Sequence, residues 1–100
     1  MSSEILSIAI FEPLPGKEQE SLATVRALGA ALAKGGFSRD ILYREARPGS
    51  EFILLRYWKS AEARRAAQED SESLRCWAKL AEEVRTIRIY ETLEEVAGRL

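Results

Sequence analysis

Residues 56–71, RYWKSAEARRAAQEDS, concentrate the side chains with chemistry to offer. An apolar run ends in Arg56-Tyr57-Trp58 and passes into an alanine- and arginine-rich stretch. Large aromatics where a strand turns into a helix either fill a core or line a pocket. Arg56 shares a strand face with Phe52, Leu54 and Trp58. An arginine on an apolar face needs a counter-ion, such as Glu45 across the sheet, or an anionic ligand whose charge it stabilises. Gln68 can hydrogen-bond a ligand or simply stand exposed on a helix. Arg64 and Arg65, flanked by Glu62, Glu69, Asp70 and Glu72, read as a solvated helix face. Trp77 falls on an apolar stripe and is either core or pocket wall.

What the chain lacks is equally informative. It contains no histidine, which excludes a histidine-based triad, a histidine zinc site and a proximal-histidine haem within this chain. Its one cysteine, Cys76, can form no internal disulfide, cannot alone hold zinc and has no histidine to activate it. It reads as a small buried filler. No metal and no cofactor are expected.

One hundred residues fit one domain, with a core marginal in size. Fifteen basic residues against sixteen acidic ones give a net charge of −1, which argues against a nucleic-acid surface or an anionic membrane as partner. The apolar runs fall far short of the roughly 20 residues that span a bilayer. The first residues, MSSE, show no basic, apolar leader, so a cytoplasmic location is expected.

The elements that must position these residues follow from periodicity and punctuation. Residues 5–11 read as a strand with Leu6, Ile8 and Ile10 on one face and Ile5, Ser7, Ala9 and Phe11 on the other. Pro13-Leu14-Pro15-Gly16 is a turn. A helix over 16–34 follows, with Leu22, Val25, Leu28 and Leu32 on its apolar face and Gly35-Gly36 as its stop. Residues 37–46 and 51–59 read as strands joined through a turn at Arg47-Pro48-Gly49-Ser50. Ser60 caps a helix to about residue 69. Asp70-Ser71-Glu72-Ser73 interrupts it, and Leu74, Trp77, Ala78, Ala81 and Val84 mark a second helical segment. A strand over 86–91 closes the core. Thr92-x-x-Glu95, with Leu93, Val96 and Leu100 apolar, predicts a short last helix over 92–100.

The order β-α-β-β-α-β, with the second helix split, is the ferredoxin-like α+β plan: a four-stranded antiparallel sheet with helices on one face. Residues 1–100 read as a single domain, with this core over about 4–91. Two strands are apolar on both faces, so the sheet face away from the helices needs a cover. A second copy of the same sheet supplies one, which predicts a homodimer through the sheet face.

Four stretches, LPGKEQE (14–20), GGF (35–37), ILYRE (41–45) and FILLRYWKSAEA (52–63), resemble the antibiotic biosynthesis monooxygenase (ABM) group of the dimeric α/β-barrel proteins. The resemblance runs from about Ile5 to Glu91. It implies a dimeric barrel with a small pocket in each protomer between sheet and helices. It further implies a cofactor-independent monooxygenase acting on a small aromatic, polyketide-like or quinol molecule. On this resemblance Ser7, Ala9 and Phe11 line the pocket's sheet side, and Trp58, Gln68 and Trp77 add to the substrate-binding wall. Tyr43 or Tyr57 would orient the substrate and Arg56 would hold its anion. Because Tyr57 and Trp58 alternate, one faces the pocket and the other the dimer partner.

The sequence departs from the family at reactive positions. Where many members carry a histidine after the tryptophan it has Ala67 and Gln68. Where haem-degrading relatives place asparagine and histidine it has Ala9 and Trp77, which argues against haem degradation. The alternative is a non-catalytic dimeric module, ligand-binding or stress-linked, on the same scaffold.

Overall fold

The structure, a computed structural model, describes residues 4–47 and 51–100. The expected Pro48-Gly49-Ser50 turn and the first three residues lie outside the described residues. The elements are β1 (Ile5–Pro13), α1 (Glu18–Lys34), β2 (Ser38–Arg44), β3 (Phe52–Trp58), α2 (Ala61–Ala67), α3 (Ser71–Ala81) and β4 (Val84–Leu93). The strands form one antiparallel sheet in the order β2-β3-β1-β4. This is the expected ferredoxin-like arrangement.

Local chemistry explains several of the boundaries. Gly16 adopts φ +77° after Pro15, and the Lys17 N–H closes the turn on the Leu14 carbonyl at 2.9 Å. α1 ends in a Schellman arrangement: Gly36 sits at φ +72°, its N–H donates to Ala33 O, and the Phe37 N–H reaches back to Leu32 O. Ser60 caps α2, its hydroxyl accepting the Ala63 N–H at 3.0 Å. Asp70 caps α3, accepting both the Ser73 N–H at 3.0 Å and the Ser73 hydroxyl at 2.7 Å. The Asp-Ser-Glu-Ser stretch is therefore a helix start rather than a gap.

Alternation along the strands sends one set of side chains to the helices. Phe52, Leu54, Arg56 and Trp58 of β3 are buried there, together with Phe11 of β1. The core has two clusters, Phe11-Val25-Phe52-Leu54 and Leu28-Leu32-Trp58-Ala67. Cys76 packs against the second, the place of a small apolar filler. The opposite face carries Leu6, Ile8, Ile10, Leu55 and Tyr57 half-buried, with Ile41 and Tyr43 exposed.

Two expectations fail at the C-terminal end. Val84 belongs to β4 rather than to the helical stripe. No helix forms over 92–100: Thr92 and Leu93 continue β4, and the chain beyond is irregular. The Thr92 hydroxyl, which the capping box needs, instead accepts a hydrogen bond from Arg64. Val96 and Leu100 find nothing to pack on and stay fully exposed, so the few remaining residues cannot repay helix nucleation.

Candidate functional site

A cavity of about 400 Å³ lies between the sheet and the two C-terminal helices. β1 contributes Ser7, Ala9 and Phe11; β3 contributes Leu54, Arg56 and Trp58; α2 contributes Arg64 and Gln68; α3 contributes Trp77 and Leu80; and β4 contributes Ile89 and Glu91. The small side chains at positions 7 and 9 leave the floor low. Phe11 and Trp77 wall the space without plugging it.

Seven of the residues singled out in the sequence thus converge: Ser7, Ala9, Phe11, Arg56, Trp58, Gln68 and Trp77. The two tyrosines do not. Tyr57 alternates with Trp58 and points to the open sheet face, where the Arg39 guanidinium lies 4.0 Å from its ring centroid. Tyr43 is on that same face and is 53% exposed. Strand alternation therefore removes both from contact with anything held in this protomer's cavity.

Arg56 is committed to a protein partner. Its Nε donates to Asp40 Oδ1 at 3.0 Å and its Nη2 to Asp40 Oδ2 at 2.8 Å, across the β2–β3 pair. Ser38 Oγ donates to the same carboxylate at 3.1 Å. The partner is Asp40 rather than the expected Glu45, which pairs with Arg47 at 3.2 Å. Asp40 stands directly opposite Arg56 in the strand register, whereas Glu45 lies beyond the end of β2. The guanidinium also lies 5.5 Å from the Trp58 ring centroid and 5.6 Å from that of Trp77, so it helps hold both rings.

The two indoles lie 6.4 Å apart at a 36° tilt. Trp58 Nε1 donates to Ser7 Oγ at 3.1 Å, and Ser7 Oγ donates to the Glu91 carbonyl at 2.5 Å. This relay fixes the Trp58 ring plane and satisfies the polar end of an otherwise apolar wall. Gln68, the C-cap of α2, is exposed at the cavity edge.

The sequence places Arg64 on a solvated face, yet it lines the cavity half-buried. Its Nη1 donates to Thr92 Oγ1 at 3.0 Å, and its Cζ is 5.9 Å from the Trp58 ring centroid. The signal was its spacing: residues 64 and 68 are one turn apart, so a pocket-facing Gln68 brings Arg64 with it.

The groups with shifted pKa values lie elsewhere. The Ser73 hydroxyl and N–H hold the Asp70 carboxyl below its ordinary value. A hydrogen bond from Lys79 at 2.7 Å lowers that of Glu83 and raises that of Lys79. These serve helix ends rather than the cavity. Among the described residues, no group of three or more Cys, Asp or Glu could hold a metal ion. No helix among them is long and apolar enough to cross a membrane.

No family model matches the sequence, and no curated protein matches it. Solved structures do match across nearly the whole chain. SnoaB of Streptomyces nogalater, a cofactor-independent oxygenase, is similar with a TM-score of 0.78 at 17% identity, covering 98% of this chain and 100% of its own. Rv0793 of Mycobacterium tuberculosis is similar with a TM-score of 0.72 at 22% identity, covering 95% and 100%. A protein of Chloroflexus aurantiacus provisionally assigned as an antibiotic biosynthesis monooxygenase gives 0.77 at 14% identity, covering 97% of each chain. At these identities the likeness is one of fold: this chain has the ferredoxin-like α+β fold of the antibiotic biosynthesis monooxygenase structures.

Proposed function

We propose that this protein is a cofactor-independent monooxygenase of a small aromatic, polyketide-like or quinol molecule, working as a homodimer. The observation that carries the reading is the open, indole-walled cavity, set in the fold of a cofactor-independent oxygenase. A flat molecule entering it meets Trp58 and Trp77 on one side and the low floor at Ser7 and Ala9 on another. The substrate supplies the electrons. Deprotonation of an anthrone-like CH₂ gives an electron-rich anion that reduces O₂; a C–O bond forms, and loss of water leaves the ketone. One O₂ converts CH₂ to C=O and H₂O, which balances without another reductant. The protein's share is a water-poor cavity, ring orientation and stabilisation of the anion.

The homodimer would bury the open sheet face of Leu6, Ile8, Ile10, Leu55 and Tyr57 against a second copy. A second reading, a ligand-binding module without catalysis, draws on the Arg56–Asp40 pair, which takes the most buried cation of the cavity out of reaction chemistry.

Oxygen-electrode assays on a panel of anthrones and quinols separate the two. The oxygenase reading expects uptake stoichiometric with substrate and lowered at least tenfold by Trp58→Ala. Saturable binding of the same compounds with uptake no faster than in buffer would establish the binding module instead.

A further inference from the structure

Two guanidinium groups line the cavity, and only one is already neutralised. Arg56 is held by both oxygens of Asp40. Around Arg64, no carboxylate oxygen of the described residues lies within 4.0 Å. Its hydrogen bond goes to the neutral Thr92 hydroxyl. The side chain leaves α2, lies 5.9 Å from the Trp58 ring centroid and reaches Thr92 of β4, which places its charge in the cavity wall. Half-buried there, it is screened by solvent less than an arginine on an open helix face. The third charged residue of the lining, Glu91, occupies an exposed strand position whose carbonyl is taken by Ser7. Most of the remaining wall is apolar or aromatic.

A planar five-donor cation beside an aromatic platform matches a flat molecule that carries an oxyanion. Resting on the reading of the cavity as a ligand site, we propose that Arg64 makes it selective for anionic aromatic compounds. The ring lies along Trp58 and Trp77, and a carboxylate or phenolate oxygen meets the Arg64 guanidinium. The Thr92 hydroxyl holds the guanidinium in place until the anion arrives. An uncharged aromatic of the same shape fills the same space without that contact. In the proposed oxygenation, Arg64 rather than Arg56 then stabilises the substrate anion.

Titration calorimetry with 2-naphthoate and its uncharged counterpart 2-naphthamide, at pH 7.5 and low salt, tests this without requiring turnover. The native chain is expected to bind naphthoate roughly tenfold more tightly, the size of one charge-assisted contact at a partly wet site. Arg64→Gln should bring the two ligands within about twofold of each other by weakening naphthoate alone, with naphthamide binding reporting that the fold is intact. Arg64→Lys should retain part of the preference. Equal binding by the native chain, or a preference that survives Arg64→Gln, overturns the assignment while leaving the cavity a ligand site. Binding of neither compound overturns both.

Discussion

Arg56 and Asp40 show how a single register position decides what a charged residue is for. The two stand opposite each other on β3 and β2, with side chains only 11% and 8% exposed. A buried pair contributes little relative to an apolar pair of the same shape, but stranding one member is costly. Arg56→Met should therefore destabilise the protein by about 3–5 kcal/mol, because the Asp40 carboxylate loses its counter-ion. The double variant Arg56→Met/Asp40→Leu should recover most of that loss in urea denaturation. If the single and double variants unfold at the same midpoint, the pair is not the brace described here. The sequence showed that Arg56 needed a partner, because four alternating positions place it among Phe52, Leu54 and Trp58. Glu45 is the wrong acid: the expected turn at 47–50 sets it opposite the start of β3, whereas the same register brings Asp40 directly opposite Arg56. Arg64 is hidden differently: Arg65 and the nearby Glu62 and Glu69 suggest a solvated helix face, but its neighbours in space are Trp58 and Thr92.

At the level of elements, helix ends carry more information than helix faces. The close of α1 is made by two glycines with different tasks. Gly36 supplies the left-handed backbone, at φ +72°. Gly35 has ordinary dihedrals but lies under the Phe37 ring, whose Cε2 would sit 2.2 Å from an added Cβ. Gly35→Ala must push Phe37 off the Leu28-Leu32-Trp58 cluster it packs against. The variant should melt several degrees lower, whereas Phe37→Leu in that background should recover part of the loss by vacating the space. The start of α3 gives a pH dependence. Asp70 has its carboxyl lowered by Ser73, so its contribution is present above the ordinary carboxylate value near 3.9 and is lost as pH falls through the folded value. Asp70→Asn should lower the melting temperature at pH 7, and the deficit should shrink as both proteins are taken below about pH 4. A deficit constant with pH would show that the charge plays no part. The Ser60 start and the Gly35-Gly36 stop are legible because capping is local, whereas the Asp70 start reads in the sequence only as an interruption. The capping box at Thr92 is equally local but misleads: its hydroxyl is claimed by Arg64 of another element, which no short-range pattern reveals.

For the whole molecule, the open sheet face is the largest feature still to be accounted for. β1 and β3 present Leu6, Ile8, Ile10, Leu55 and Tyr57 to the side without helices, and Ile41 and Tyr43 extend that surface onto β2. Apolar surface of this kind on a free monomer invites association, and a closed two-fold pairing consumes it without building filaments. The two-sided apolar character of these strands is what made both the fold and the dimer expectation readable from sequence. It also blurred the site, because aromatic residues on either face look equally suited to a pocket until alternation assigns Tyr57 outward and Trp58 inward. Ile8 and Leu55 are direct cross-strand partners near the middle of this face. Ile8→Arg/Leu55→Arg would place two like charges opposite each other at the centre of the proposed interface, where a stable dimer of about 1,200–2,000 Å² could not bury them. Sedimentation velocity at micromolar concentration should give the mass of two chains for the native protein and of one for the variant. Ile8 also borders the cavity, so the ligand preference is read on Leu55→Arg alone, which lies outside the lining and should keep the preference for 2-naphthoate over 2-naphthamide. A native protein that sediments as a monomer would refute the dimer and leave the cavity chemistry standing, since Arg64, Trp58 and Trp77 all come from one protomer.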